Sequence, residues 1–149
     1  MKVTGGIFSV EILGHPYGNV FTPLAGVHQV DNAITALFTL EVLIRDGKIP
    51  LDRKKILSGL AKTSHVGRLE KLSEHPLVLI DGAHNAEGMD ALCRSIAPFI
   101  AGKKTLFILG ILKDKEFRKM LESALSLGVD MALSEPDNPR KASAEELAE

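Results

Sequence analysis

The second half of the chain alternates short apolar runs with longer amphipathic patterns, and this alternation restricts the fold more than any other feature. A continuous apolar run occupies residues 77–80, and two further strands are predicted over residues 105–109, which are apolar except for Thr105, and residues 129–133. A continuous run such as residues 77–80 is typical of a strand buried on both faces of a sheet. Between them, apolar side chains recur every three or four positions around residues 89–99 and 117–125, which predicts two helices. We therefore expect an α/β fold with a mostly parallel sheet flanked by helices.

The first half has a different pattern, which predicts a hairpin followed by helices. Residues 7–13 and 20–21 are rich in strand formers and flank a stretch dense in turn formers, residues 14–19, as is typical of a β-hairpin. A strong helix is predicted over residues 28–46. Its apolar stripe consists of Ala33, Ala36, Leu37, Leu40, Leu43 and Ile44.

Local signals mark the ends of the helices in this half. Gly47 fits a C-terminal cap of the first helix. Asp52 is placed to cap a second helix over residues 52–60, with Ile56 and Leu60 as its buried edge.

Residues 63–67 break the helical pattern, so we predict two domains, residues 1–64 and 65–149. Near the C-terminus, Ser143 followed by Glu146 is a capping-box pattern that predicts the start of a helix. The printed sequence stops before that helix completes two turns, so we expect the chain to be a piece of a longer protein.

Charge and composition exclude several classes of protein. Lys and Arg number 18 against 19 Asp and Glu, a net charge of −1, which argues against a chain built mainly for nucleic acid or anionic membranes. The single cysteine excludes an intrachain disulfide. Because no run of 18 apolar residues and no secretory signal is visible, we expect a cytoplasmic protein.

Three loops qualify as ligand sites, because ligands of parallel sheets bind beyond the carboxyl ends of the strands. They cover residues 81–85, 110–115 and 134–140. In the first, Asp81 can accept hydrogen bonds from a ribose, and His84 offers a donor just before a helix N-terminus, which favours anions. The alternative is that Asp81 and Asn85 only cap the turn and the helix, and spacing alone leaves both open.

Other candidates are weaker when taken alone. Arg68 follows the predicted boundary, where its guanidinium can reach a phosphate or form a surface ion pair. His28 and Asn32 share a helix face, but no third metal ligand is evident, which favours capping. Cys93 lies on an apolar helix face and is expected in the core. Residues 102–105 lack the first glycine of a phosphate loop and precede a strand, so we discount them.

Five short motifs occur together in an order that resembles one family. They are Gly26-Val27-His28-Gln29-Val30-Asp31-Asn32-Ala33, Gly67-Arg68-Leu69-Glu70, Leu79-Ile80-Asp81-Gly82-Ala83-His84-Asn85, Gly110-Ile111-Leu112-Lys113-Asp114-Lys115 and Pro139-Arg140-Lys141-Ala142-Ser143. The order resembles the folylpolyglutamate synthase/dihydrofolate synthase family of the Mur ligase superfamily. The resemblance covers nearly the whole chain, from about residue 5.

This resemblance implies a fold and a reaction. It implies a Rossmann-like C-terminal domain preceded by the tail of a phosphate-loop ATPase domain, with ATP between them. The family uses ATP and Mg²⁺ to phosphorylate a folate or dihydropteroate carboxylate, and glutamate then attacks the acyl phosphate. By motif match, Asn32 is expected to hydrogen-bond the adenine, Arg68 to approach the phosphates, and Asp81 the ribose or the linker. His84 is expected to help receive glutamate.

The chain also departs from the family pattern. The phosphate loop and the magnesium ligands of the family lie in its central domain, and this sequence contains neither, so the chain is expected to be inactive alone. Two alternatives stay open: a non-catalytic domain that binds a nucleotide or partner, with possible self-association, or part of a peptidoglycan-type Mur ligase.

Overall fold

The structure, a computed structural model, describes residues 5–50 and 52–149. The chain forms two compact units, Met1–Asp81 and Gly82–Glu149. The domain boundary between residues 64 and 65, which rests on the sequence pattern, stays a prediction. Within the described residues, no helix is long and apolar enough to cross a membrane.

An antiparallel hairpin opens the first unit, as predicted. Strand β1 (Gly6–Ile12) pairs with β2 (His15–Thr22). The turn is shorter than expected, because Leu13 and Gly14, with φ of 50° and 77°, reverse the chain in two left-handed residues that match the strand twist. Asn19, assigned to the turn from the sequence, instead lies inside β2, where its φ of 52° accompanies a shift in pairing register.

Two helices follow, and their predicted caps are confirmed. Helix α1 (Val27–Arg45) ends just before Gly47, which has the left-handed φ of 67° that a C-terminal glycine cap requires. Helix α2 (Arg53–Leu60) begins after Asp52, whose carboxylate accepts a hydrogen bond from the backbone N–H of Lys55 at 3.0 Å. That bond satisfies a backbone donor in the first turn.

The core of the first unit lies between the hairpin and the helices. The predicted stripe of α1 is partly wrong: Ala33 and Leu37 are buried, whereas Ala36 is exposed. The buried face of α1 consists of Gln29, Ala33, Leu37 and Glu41. The surrounding core residues are Ile12, Tyr17 and Val20, with Ile56, Leu57 and Leu60 packed against them.

A second hairpin closes this unit, and it corrects the predicted pairing of residues 77–80. Strand β4 (Leu77–Ile80) pairs antiparallel with β3 (Glu70–Glu74), a strand that the sequence did not predict because it is polar. Leu77, Val78 and Ile80 are 42%, 41% and 46% exposed, so burial on both faces is also wrong for this strand in the structure. The short connection between the strands favours the local antiparallel pairing over a parallel one.

The second unit contains the predicted β–α–β arrangement. Helix α3 (Ala86–Ile100) is followed by β5 (Leu106–Leu109), α4 (Phe117–Leu125) and β6 (Asp130–Leu133). Strands β5 and β6 pair in parallel. The α/β class is therefore confirmed, with both parallel and antiparallel pairs. The core consists of Met89, Cys93, Ile111, Met120, Leu121, Ala142 and Leu147.

The short C-terminal helix has the capping box that the sequence predicted. In α5 (Ala144–Ala148), the hydroxyl of Ser143 accepts a hydrogen bond from the backbone N–H of Glu146, whose carboxylate accepts one from the N–H of Ser143. Leu147 is 4% exposed and belongs to the core. Packing therefore stabilises a helix that is too short to persist by itself.

Candidate functional site

The turn that carries Arg68 is held by two carboxylates. The backbone N–H of Gly67 donates a hydrogen bond to Oε2 of Glu70 at 2.8 Å. The backbone N–H of Leu69 donates to Oδ2 of Asp81 at 2.7 Å. Gly67 and Leu69 have φ of 68° and 46°, so the carboxylates hold a left-handed backbone on both sides of Arg68.

Leu69 adopts a backbone conformation that leucine normally avoids. The left-handed region costs a residue with a Cβ about 1 kcal/mol. Leu69 is 4% exposed, so burial of its side chain and the hydrogen bond to Asp81 offset that cost. Among the described residues, the Arg68 guanidinium forms no ion pair.

Asp81 ties the end of β4 to the Arg68 turn. It follows β4 directly, and its hydrogen bond spans the 12 residues back to Leu69. The sequence left open that Asp81 only caps a turn. Its carboxylate does hold a turn, so that structural role is present. The same bond brings two of the predicted site residues, Arg68 and Asp81, into one local arrangement.

His84 and Asn85 lie where the second unit begins. Nδ1 of His84 lies 2.9 Å from the carbonyl oxygen of Gly82. Because a carbonyl only accepts, Nδ1 donates this bond, and a neutral ring keeps the lone pair on Nε2. The side chain of Asn85 accepts from the N–H of Gly88 at 2.8 Å and caps α3, so the capping alternative holds for Asn85.

Asn32 is held by a chain of hydrogen bonds within α1. Its Nδ2 donates to Oε1 of Gln29 at 3.1 Å. Nε2 of Gln29 lies 3.0 Å from Nε2 of His28. Nδ1 of His28 is a buried side-chain nitrogen without a hydrogen-bond partner in the described structure. His28 and Asn32 were singled out from the sequence, but Gln29, the residue that connects them, was not.

A buried ion pair in the first unit was also missed from the sequence. Glu41 is 2% exposed and accepts from Nε and Nη2 of Arg53 at 2.7 and 3.2 Å, and from the Tyr17 hydroxyl. Arg53 is the main cause that lowers the pKa of Glu41, and burial is the main cause that raises the pKa of Tyr17. The sequence signal for the burial of Glu41 is its spacing: it follows Leu37 by four residues, so both lie on the same face of α1.

The loops after β5 and β6 meet at the carboxyl edge of that strand pair. The N–H of Lys113 donates to the carbonyl of Arg140 at 2.8 Å. The hydrogen bond and ion pair with Lys115 lower the pKa of Asp114. The exposed charges here pair with one another: Lys113 with Glu146, Lys115 with Asp114, and Lys141 with Glu135.

A cleft in the second unit lies away from these loops. It encloses about 480 Å³ and is lined by residues before β5 and β6, among them Gly102, Lys103 and Thr105. It therefore lies at the amino ends of the strands, opposite to where ligands of parallel sheets bind. The Lys103 ammonium donates to the carbonyl of Phe99 at 2.5 Å, as expected of a helix C-terminus. Residues 102–105 therefore lie away from the edge of the sheet where a ligand is expected.

Cys93 is buried in the core, as predicted, and burial raises the pKa of its thiol. In the part of the chain that the structure describes, no three His, Cys, Asp or Glu side chains are grouped as metal ligands.

Comparison with known proteins identifies the class to which these elements belong. Residues 67–149 match the Mur ligase glutamate ligase domain, so the chain belongs to the Mur ligase family. Within the family, the dihydrofolate synthase/folylpolyglutamate synthase of Bacillus subtilis is 31% identical over 143 residues, which cover 96% of this chain and 33% of that protein. The folylpolyglutamate synthase of Lacticaseibacillus casei is 37% identical over 118 residues, which cover 79% of this chain and 27% of that protein.

A solved structure gives the same result. The folylpolyglutamate synthase of Mycobacterium tuberculosis, solved as a complex with ADP and AMPPCP, superposes with a TM-score of 0.84 at 30% identity. The match covers 99% of this chain and 33% of that structure. The resemblance to the folate branch is therefore confirmed, and the chain spans about a third of the length of these relatives.

Proposed function

We propose that this chain forms the C-terminal part of an ATP-dependent amide ligase that adds glutamate to a folate or dihydropteroate carboxylate. The observation that carries this proposal is the similarity of nearly the whole chain to folate enzymes. In this proposal, residues 1–64 are the end of an ATPase domain, and residues 65–149 are the Mur ligase-type C-terminal domain. The family match from residue 67 supports that division.

The proposed reaction has two steps. A carboxylate oxygen of the folate substrate attacks the γ-phosphorus of ATP, and ADP leaves. The amine of glutamate then attacks the acyl carbon, the bond from that carbon to the phosphate oxygen breaks, and the nitrogen releases a proton as the amide forms. The location that we propose for such an enzyme is the cytoplasm.

In this reaction, Asn32, Arg68 and Asp81 bind ATP. Asn32 presents its amide to the adenine, and Arg68 presents its guanidinium to the phosphates. The left-handed turn supports this role for Arg68, because it fixes the backbone from which the side chain extends. Asp81 contacts the ribose or the linker between the domains while it holds that turn.

His84 receives glutamate in this proposal. Its Nδ1 donates to the carbonyl of Gly82, which fixes the tautomer of the neutral ring and leaves Nε2 as an acceptor. An acceptor at this position suits the N–H groups of an incoming amine.

Phosphoryl transfer of this kind uses Mg²⁺ to neutralise the developing charge. Among the described residues, no group of three or more His, Cys, Asp or Glu side chains is arranged as metal ligands, and in the family pattern the magnesium ligands lie in the central domain. We therefore assign the magnesium ligands and the phosphate loop to a region outside this sequence, and we expect no ADP release by the isolated chain.

A graft tests the proposal. This chain replaces the corresponding third of the Bacillus subtilis relative, and ADP release that depends on folate and glutamate is measured. We expect the graft to be active and Arg68→Ala to lower its turnover about a hundredfold, because a charge at the transferring phosphoryl group is lost. Arg94→Ala is the matched control, since Arg94 is an exposed arginine paired with Asp90.

Full activity of the Arg68→Ala graft would remove the proposed role of that residue. The peptidoglycan-type alternative predicts a different outcome: the chain then supports turnover only when it is grafted into a peptidoglycan ligase. Clear turnover by the ungrafted chain contradicts the proposed inactivity.

A further inference from the structure

The amide of Asn32 has a fixed orientation in the structure, and Gln29 fixes it. Nδ2 of Asn32 donates to Oε1 of Gln29 at 3.1 Å. If the Asn32 amide rotated by half a turn, its oxygen would face the Gln29 oxygen, and two acceptors repel each other. The bond therefore selects one of the two orientations.

Gln29 is itself held in one orientation. It is 5% exposed, so its amide has little solvent to bond with. Its Nε2 lies 3.0 Å from Nε2 of His28, and since an amide nitrogen only donates, the ring nitrogen accepts. This assigns the neutral tautomer of His28 with the proton on Nδ1.

These bonds leave Asn32 with one N–H donor and its carbonyl acceptor, in a fixed order. Asn32 is exposed, so a ligand can reach both groups. Adenine offers the complementary pair, because its N6 amino group donates and its N7 or N1 accepts. On the edge that carries N1, guanine offers the reverse order, O6 as acceptor and N1–H as donor. An amide that is free to rotate pairs with either base at that edge, whereas a fixed amide pairs only with adenine.

We propose that Gln29 is a positioning residue that sets the preference for adenine over guanine by preventing rotation of the Asn32 amide. This inference rests on the proposed function, in which Asn32 contacts the nucleotide base. It assigns His28 a supporting role, because the His28 lone pair fixes the orientation of Gln29.

The test compares two nucleotides on three variants of the full chain. Titrations with ADP and with GDP are followed by ¹⁵N–¹H NMR at the side-chain amide of Asn32, and the Kd of each nucleotide is determined. Gln29→Met, which removes both hydrogen bonds at similar volume, is expected to reduce the preference for ADP about tenfold, mainly by tighter binding of GDP.

Two further variants separate positioning from a general structural effect. Gln29→Glu is expected to retain the preference, because its carboxylate still accepts from Asn32. Thr35→Ala is the matched control, since it removes an exposed hydroxyl that bonds only to the backbone carbonyl of Asp31 in α1. Its preference is expected to equal that of the unmodified chain.

The outcomes distinguish this inference from the proposed function. If the unmodified chain prefers ADP and Gln29→Met keeps that preference, the inference about Gln29 is wrong while the proposed function stands. If ADP does not shift the Asn32 amide at all, the inference and the proposed contact of Asn32 with adenine are both wrong, whereas turnover by the graft decides the rest of the proposed function. Should Gln29→Met fail to fold, the imidazole ¹⁵N signals of His28 in the unmodified chain decide: the proton is expected on Nδ1, and a proton on Nε2 would overturn the proposal.

Discussion

At the scale of single residues, Glu41 is a buried carboxylate whose stabilising partners are distant in sequence. It lies on the buried face of α1, while Arg53 begins α2 and Tyr17 belongs to β2. A buried carboxylate is costly unless it is paired. The bidentate contact with Arg53 and the Tyr17 hydroxyl supplies that pairing, so one residue joins three elements of the first unit.

Glu41→Gln is expected to lower the free energy of unfolding by about 2 kcal/mol at pH 7. Removal of one partner of a fully buried pair costs about 3–5 kcal/mol, and Arg53 retains some access to water. Urea denaturation measures the change. Asp46→Asn, which breaks the exposed pair with Arg45, is the control and is expected to change stability by less than about 1 kcal/mol.

The same carboxylate predicts a dependence on pH. The pKa of Glu41 is lowered in the folded chain from its usual 4.5, so its contribution to stability is fully present above that value. It is lost as the pH falls through the folded pKa. Between pH 6 and strongly acidic pH, the stability gap between the unmodified chain and Glu41→Gln is therefore expected to narrow. A gap that stays constant would contradict this assignment.

At the scale of elements, the sequence predicted helix ends correctly, because a capping residue lies within a few residues of the group that it caps. Gly47, Asp52 and the pair Ser143 and Glu146 act at the helix ends that the sequence assigned to them. The pairing of β4 was different. Its four apolar residues indicate a strand in either arrangement, and the choice of β3 as partner depends on a polar segment whose sequence gives no strand signal.

Ser143→Ala tests the cap of α5. We expect a loss of about 1 kcal/mol in the stability of the second unit, because the N–H of Glu146 loses its acceptor and Leu147 is held less firmly in the core. Hydrogen exchange of the Glu146 amide and thermal denaturation both measure this loss of stability. Ser123→Ala in α4 is the control, since its hydroxyl bonds only to a carbonyl one turn earlier, and alanine favours a helix interior. Equal effects of both substitutions would show that the box is not stabilising.

At the scale of the whole molecule, exposed apolar side chains on the first hairpin and on α1 predict self-association. Ile7 and Phe21 are cross-strand partners and are 71% and 41% exposed, and Val27 and Phe38 are 74% and 49% exposed. Apolar patches of this kind mark interaction surfaces, and a net charge of −1 provides little repulsion between copies.

Light scattering coupled to size exclusion measures this association. The apparent mass is expected to rise with protein concentration, and Ile7→Thr is expected to reduce that rise because it removes half of the cross-strand pair. Leu125→Thr, at an exposed leucine of α4 in the second unit, is the matched control and is expected to leave the rise unchanged. A monomer at every concentration would contradict the prediction.

The sequence by itself determined the α/β class, helices α1 to α4, the parallel pairing of β5 with β6, and the family. Periodicity, caps and motifs are properties of neighbouring residues, so they can be read without the fold. Tertiary structure alone decided three contacts. Asp81 holds the N–H of Leu69, Gln29 fixes the amide of Asn32, and Glu41 is neutralised by Arg53. In each case an individual side chain satisfies a specific polar group, and only folding decides which donor and acceptor lie at hydrogen-bonding distance.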